Sequence, residues 1–358
     1  HEPEEVEASP ERLDVIASIV EDGLEQKAFP GCQVLVAKDG MIIYDKSFGY
    51  FDYDKKQAVD ENSVYDLASS SKAAGTLLAV MKAYDDKKFT LNNKISDFIP
   101  ELKDSDKKNL AVKDLLYHQS GLTPTINFYL NAIDKDSYKG SLYSNAKNQA
   151  HPVRFDARTY VRNDFSFLPN LVSARKKPGF TTEIARNMYL HDSFKDTIIQ
   201  EIKDSRLGVR GKYKYSCINF ILLKMMVEKQ MRMDRLLHDM FFSKLGAWHT
   251  AYNPLHILDT MQIVPTENDH FIRRQLLRGY VHDEAAAFQG GVSGNAGLFS
   301  NANDLAKVLQ LYLNQGSYGG EQYLSKETCR LFTQSKSPTC RRGLGFDKPV
   351  AGGGKASP

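Results

Sequence analysis

The feature that most constrains this chain is the run GCQVLVAK-DG-MIIYDKSFGY, residues 31–50. Two alternating apolar segments flank Asp39-Gly40, and Asp-Gly supplies the backbone freedom of a tight two-residue turn, so the run reads as a β-hairpin. A lone hairpin is marginal in water; about three strands or a covering helix are needed for stability. Other elements must therefore cover it, and most of those read as helices. Residues 10–28 carry Leu13, Ile16, Ile19, Val20 and Leu24 at helical spacing. Residues 69–86 read as a helix whose start is small and apolar (Ala73, Ala74, Gly75), which predicts a central, buried position. Short helices are expected near 94–98 and 112–117. Residues 192–204, one or two segments from Tyr215 onward, 303–315 and 325–334 also read as helical. The stretch 123–210 is polar and irregular, with scattered aromatics. The order is strands, a helical middle and a C-terminal helix. Strands completing the sheet are expected from the C-terminal end, yet the sequence reaches Pro358 through AGGGKASP without supplying them. The reading is of closing strands missing from this chain.

Composition removes several classes of function. With 358 residues, 42% hydrophobic and 25% charged, the chain has ordinary globular composition and is long enough for a sizeable core. No run approaches the roughly 18 apolar residues of a spanning helix. Net charge is +3, and no basic stripe with interleaved aromatics appears, so no nucleic-acid partner is expected. Cys32, Cys217, Cys329 and Cys340 form no C-x-x-C pair, which removes zinc-knuckle and thioredoxin-type sites. The opening HEPEEVEASP has neither a basic nor an apolar signal region.

The sharpest local pattern is Ser69-Ser70-Ser71-Lys72. Ser69 stands three residues before Lys72, and positions i and i+3 share a helix face, so hydroxyl and amine can meet. A serine hydroxyl becomes a useful nucleophile when a neighbouring base takes its proton, and a lysine can be that base once burial disfavours its charge. A helix N-terminus further favours negative charge developing there. Tyr215-Ser216-Cys217 opens a later helix, where a tyrosine could carry a second proton; a half-buried core tyrosine is the plainer reading. DLLYHQSGL, residues 114–122, reads as a helix ending with Gly121 as its C-cap, and His118 as structural rather than catalytic. Gly290, Gly291, Gly294 and Gly297 superficially resemble a dinucleotide loop but lack the preceding strand and βαβ context. Close backbone packing around a site is the better account. His282-Asp283-Glu284 has no second histidine at helical spacing, and the tail GGGK lacks the first glycine and the final Ser/Thr of a phosphate loop.

Taken together, PGCQVLVAKDG, ASSSK, DLLYHQSGL, YSC and GNAGLFSNANDLAK occur in the order found in the penicillin-recognising serine hydrolases. The chain resembles their class C β-lactamase-like branch over about residues 12–348. VHDEAAAFQGGVSG and LGFDKP resemble members from Bacteroidetes, some fused to glycosidase domains. The resemblance implies an α/β (α+β) three-layer sandwich: an antiparallel sheet from both chain ends flanked by helices, plus an all-α region. It implies a tail at residues 1–9 and a single domain over 10–358, with a helical and insert region at about 69–300. Ser69 would be the nucleophile, Lys72 the general base for acylation and Tyr215 the proton carrier to the leaving group. Cys217 and Gly297 would contact substrate, and 123–210 would line the cleft. The oxyanion hole would use the Ser69 N–H and an N–H from a late strand. The implied ligand is a small molecule or peptide, with no metal and no organic cofactor. The implied setting is periplasmic or exported, with a fused or adjacent glycosidase domain among the partners. Two departures stand out. The family's Y-x-N element ends here in Cys217, a weak donor and acceptor. Its K-T-G or H-T-G element is absent from the 358 residues. The expected activity is hydrolysis of an amide or ester; the alternatives are a non-catalytic binding module and a thiol enzyme using Cys217.

Overall fold

The structure is a computed structural model and describes residues 1–334 and 336–349. The chain opens with a single 3-10 turn, Pro3–Val6, followed by α1 (Pro10–Glu25), capped by the Ser9 hydroxyl accepting from the Arg12 N–H. The hairpin forms as the Asp-Gly signal predicts, from β1 (Gly31–Lys38) and β2 (Met41–Gly49). Both turn residues are left-handed, Asp39 at φ 54° and Gly40 at φ 79°, which is the twist two-residue hairpins require. Pairing is antiparallel from Gly31↔Gly49 to Lys38↔Met41, with a bulge at Val36/Ala37. Val6 is buried, and the Lys38 ammonium donates to its carbonyl, so the first turn is pinned to the hairpin.

Helices cover both faces of this ribbon. Gln33 and Leu35 face α8 (Ala302–Leu313), where the Gln33 carboxamide oxygen accepts from the Ala302 N–H. Tyr44 and Lys46, on the other face, border Leu13 and Asp14 of α1. The result is a helix–sheet–helix stack, the layered α+β architecture expected. Among the described residues neither edge of the β1–β2 pair carries a further strand. An open groove of about 960 Å³ lies between β1 and α8, with Leu309 and Leu313 exposed beside it.

A second small sheet sets the site. β3 (Tyr65–Asp66) and β10 (Ala251–Tyr252) flank β13 (Leu298–Ser300) antiparallel, with Phe299 opposite both Asp66 and Ala251. After β3 and a turn at residues 68–69 the chain enters the predicted central helix. Its first residues, 70–71, lead into a π-helical turn, Lys72–Thr76, in which the Leu77 N–H bonds the Lys72 carbonyl five residues back, and it continues as α2 (Leu77–Asp85). Leu77 to Met81 are fully buried. The widened turn departs from the regular helix expected over 69–86. Its cause is tertiary: the Thr76 hydroxyl donates to the Gly294 carbonyl at 2.8 Å and the Tyr312 hydroxyl to the Ala73 carbonyl at 2.6 Å.

Of the short helices expected, 112–117 becomes α3 (Val112–Leu116) and 94–98 is only one 3-10 turn, Ile95–Asp97. The stretch read as irregular holds two three-stranded antiparallel sheets of very short strands. One is built from β4 (Tyr143–Ser144), β5 (Val153–Arg154) and β6 (Tyr160–Val161), the other from β7 (Val172–Ser173), β8 (Thr182–Ala185) and β9 (Met188–Leu190). After α4 (Phe194–Asp204) come α5 (Cys217–Val227) and α6 (Met233–Leu237), both packed on α2. The hairpin β11 (Glu267–Asp269) and β12 (Gln275–Leu277) precedes the one-turn α7 (Glu284–Ala287). Helix α9 (Lys326–Gln334) closes over α2. The tail GGGK lies outside the described residues.

The glycine run behaves as close backbone packing. A Cβ on Gly294 would run into the carbonyl of Phe220 in α5. Gly294→Ala should therefore lower the unfolding free energy by about 1–3 kcal/mol, the usual penalty for overpacking. Urea unfolding checks this; an unchanged midpoint would contradict the approach of loop to helix.

Candidate active site

The Ser69 segment is fixed before its chemistry begins. Ala68 takes a left-handed conformation, φ 46°, and its N–H donates to the Asp66 carboxylate at 2.8 Å. The other Asp66 oxygen accepts from the His282 N–H at 2.8 Å. Burial raises the Asp66 pKa, against those bonds, which lower it. The next turn closes through Ser71 N–H to the Ala68 carbonyl and Lys72 N–H to the Ser69 carbonyl. The three serines are thereby separated. Ser71 is buried and its hydroxyl accepts from the Leu298 N–H at 3.0 Å, whereas Ser69 and Ser70 are exposed.

Lys72 is the best-held group in the site. It is 5% exposed, and its Nζ donates to Ser69 Oγ at 2.9 Å and to the Asn295 carbonyl at 3.0 Å. Both acceptors are uncharged, and among the described residues no carboxylate lies within 4 Å of it. Asn295 is itself oriented at both ends of its amide: Oδ1 accepts from the Ser293 hydroxyl and Nδ2 donates to Asp283. The glycine loop thus delivers a carbonyl to the lysine. Sequence spacing gave no pointer to Asn295; the glycines around it were the available signal.

Tyr215 completes the group. Its hydroxyl donates to Ser69 Oγ at 3.3 Å, and Lys72 Nζ lies 5.0 Å from its ring centroid. It sits just outside α5, because Ser216 is the N-cap, its hydroxyl accepting from the Ile218 N–H. Ser69, Lys72 and Tyr215, 146 residues apart at the extremes, therefore converge on one hydroxyl oxygen. A cleft of about 240 Å³ adjoins them through Asn295, whose carbonyl bonds Lys72; it is lined by Cys217, Asn295, Tyr129, Phe155, Asp283 and Glu284, and not by Ser69, Lys72 or Tyr215 themselves. Burial raises the Glu284 pKa. Cys217 reaches this cleft and is a free thiol. Gly297 does not line it: it is buried at φ 113°, where a Cβ would strike the Gly291 carbonyl, and it leads directly into β13.

Gly121 is not the C-cap of α3. The left-handed residue ending α3 is His118, φ 52°, and not Gly121. Gly121 is also left-handed, at φ 81°, and packs where a Cβ would meet the Gly208 carbonyl at 2.5 Å. His118 is fully buried, and burial, helped by the charges of Arg342 and Lys72, pushes its pKa down to about 3. His282 pairs with Glu267 at 3.1 Å, a bond that raises its pKa, and Asp283 caps α7.

A scan against family models matches the beta-lactamase family over residues 16–356. The chain belongs to that family. It is 29% identical to an Escherichia coli (strain K12) protein named "Putative D-alanyl-D-alanine carboxypeptidase", over 96% of this chain and 74% of that protein. Among solved structures it resembles an octameric penicillin-binding protein homologue from Pyrococcus abyssi, TM-score 0.60 at 17% identity. That match covers 93% of this chain and 64% of the other, so the chain spans just under two thirds of that relative. It also resembles a beta-lactamase/D-alanine carboxypeptidase from Pseudomonas syringae, TM-score 0.60 at 14% identity, covering 93% and 73% respectively. At such identities the structural likeness speaks for the fold: the mixed α+β architecture of β-lactamases and penicillin-binding proteins. The family is one of serine hydrolases.

The depressed His118 pKa has a consequence for stability. The folded state refuses a proton that the unfolded state binds below its ordinary value of 6.5. Stability from this group is thus fully present above that value and is lost as pH falls towards about 3. Within this window it should add about 1.4 kcal/mol per pH unit to the slope of unfolding free energy. Urea titrations of wild type and His118→Asn between about pH 4 and 6 test this. The variant should show the shallower slope; equal slopes would mean that His118 is not held neutral.

Proposed function

We propose that this chain hydrolyses an amide or ester bond through an acyl-enzyme on Ser69. The observation that carries the reading is the convergence of Lys72 Nζ and the Tyr215 hydroxyl on Ser69 Oγ. In the first half, Ser69 Oγ attacks the carbonyl carbon while Lys72 takes the hydroxyl proton. The developing oxyanion is met by the Ser69 N–H at the start of the helical turn. The leaving amine or alcohol takes its proton through Tyr215, freeing the first product. Tyr215, left as the phenolate by that transfer, then takes a proton from water as the water attacks the acyl carbon, and the proton held by Lys72 returns to Ser69 Oγ as the acyl bond breaks.

The name of the Escherichia coli relative favours a peptide ending in D-alanine over a β-lactam drug as substrate. The aromatic and acidic lining of the cleft suits a peptide, with Tyr129 and Phe155 offering faces and Asp283 and Glu284 offering acceptors. Kinship with cell-wall enzymes also favours an exported setting, and no helix among the described residues is long and apolar enough to cross a membrane. A second reading, a binding member with impaired catalysis, draws on Cys217, a weak donor and acceptor, beside Tyr215.

Assays on acyl-D-alanyl-D-alanine peptides, aryl esters and a chromogenic cephalosporin distinguish these readings. Ser69→Ala should lower kcat by about 10³-fold or more without changing the unfolding midpoint. Full activity in that variant would remove Ser69 as nucleophile, and peptide binding with no wild-type turnover would favour the binding module. Cys217→Asn should raise kcat/KM by up to about tenfold, the worth of one restored amide hydrogen bond. A fall on that substitution would mean that the thiol is the better partner for this substrate.

A further inference from the structure

Tyr215 has a weakness as a catalytic group. It lies outside α5, and it is 39% exposed, with only a 3.3 Å hydrogen bond from its hydroxyl to the nucleophile. Proton transfer demands a heavy-atom separation near hydrogen-bond distance, so something must hold this side chain.

We propose that His118 is a positioning residue that clamps Tyr215 from the backbone on both sides and from the ring face; its catalytic importance rests on the hydrolase reading above. The His118 carbonyl accepts the N–H of Lys214 at 2.8 Å. Its Nδ1 accepts the N–H of Ser216 at 3.2 Å. The N–H groups of the residues immediately before and after Tyr215 thus end on a single residue. The imidazole also lies against the phenol ring, with centroids 4.6 Å apart and planes tilted by 36°. Phe220 backs the imidazole, with ring centroids 5.5 Å apart.

The clamp explains two unusual features of His118. Its left-handed backbone, rare for a residue with a Cβ, turns carbonyl and ring towards the same loop. Its protonation is fixed by the network: Nδ1 accepts from Ser216 and, at 2.8 Å, from the Asn219 amide, which the Ser120 hydroxyl orients from behind. The ring proton therefore belongs on Nε2, which is buried without a hydrogen-bond partner among the described residues. An orphaned buried N–H in a native site calls for a reason. Here the reason is that moving the proton to Nδ1 would break both bonds that Nδ1 accepts, the clamping bond from Ser216 and the bond from Asn219. The charges of Arg342 and Lys72, added to burial, oppose the doubly protonated form that would also break them.

The test pairs two substitutions with Tyr215→Phe. His118→Phe keeps an aromatic face and removes the Nδ1 acceptor. His118→Asn keeps a left-handed-tolerant residue with an acceptor near the same place and removes the ring. His118→Phe should cut kcat about 10²-fold in the wild-type background, the scale of a 1 Å misplacement. In the Tyr215→Phe background the same substitution should cost almost nothing. His118→Asn should lose less, with the same dependence on Tyr215, and it carries the test should His118→Phe not fold. Equal losses in both backgrounds would overturn the proposal. Amide exchange supplies a readout independent of activity: the Ser216 N–H should exchange about tenfold faster in His118→Phe and near the wild-type rate in His118→Asn. Unchanged Ser216 exchange in His118→Phe would also overturn it. A chain without Ser69-dependent turnover would remove the hydrolase reading, and the exchange measurement would still judge the clamp.

Discussion

The site depends on one buried amine. Lys72 Nζ joins Ser69 Oγ to the Asn295 carbonyl, and so ties the start of the central helix to a loop more than two hundred residues later. Three further bonds brace the same junction: Thr76 to the Gly294 carbonyl, Leu298 to the Ser71 hydroxyl, and Leu67 to the Leu298 carbonyl. Such an arrangement works only if the loop can lie against helix backbone. Gly294 permits the approach to α5, and Gly297 permits the turn into β13. The two glycines flank Asn295, whose carbonyl faces Lys72, and a Cβ on them would strike the Phe220 and Gly291 carbonyls respectively.

The parts of the fold legible from sequence were those written in local chemistry. Asp39-Gly40 specified a hairpin turn with both residues left-handed, and the structure has it. The Ser69–Lys72 spacing put amine and hydroxyl on one face, where they lie 2.9 Å apart. Other features had no local signature. The π-helical turn at Lys72–Thr76 is imposed by donors from Thr76 and Tyr312 acting across the molecule. The sheets within 143–190 are made of strands of two to four residues, too short for alternation to register. Glycine preference pointed to Gly121 as the helix cap, but a histidine takes that place because its side chain bonds Ser216.

Charge is handled by exclusion. Burial, with the charges of Arg342 and Lys72, holds His118 neutral, and Asp283 and Glu284 line the cleft, Asp283 accepting from the Asn295 amide. The acidic pair therefore leaves the Ser69–Lys72 contact uncharged on its acceptor side while lending polarity to the adjoining pocket. Cys217 lines that pocket as a free thiol, a weak donor and acceptor.

The central claim is that, of three consecutive serines, the geometry activates Ser69 alone. Peptide-level mass spectrometry after treatment with an alkyl fluorophosphonate tests it directly. The account predicts one adduct, on Ser69, absent from Lys72→Ala and from denatured protein. An adduct on Ser70, Ser71 or Cys217, or none on the folded protein, would contradict it.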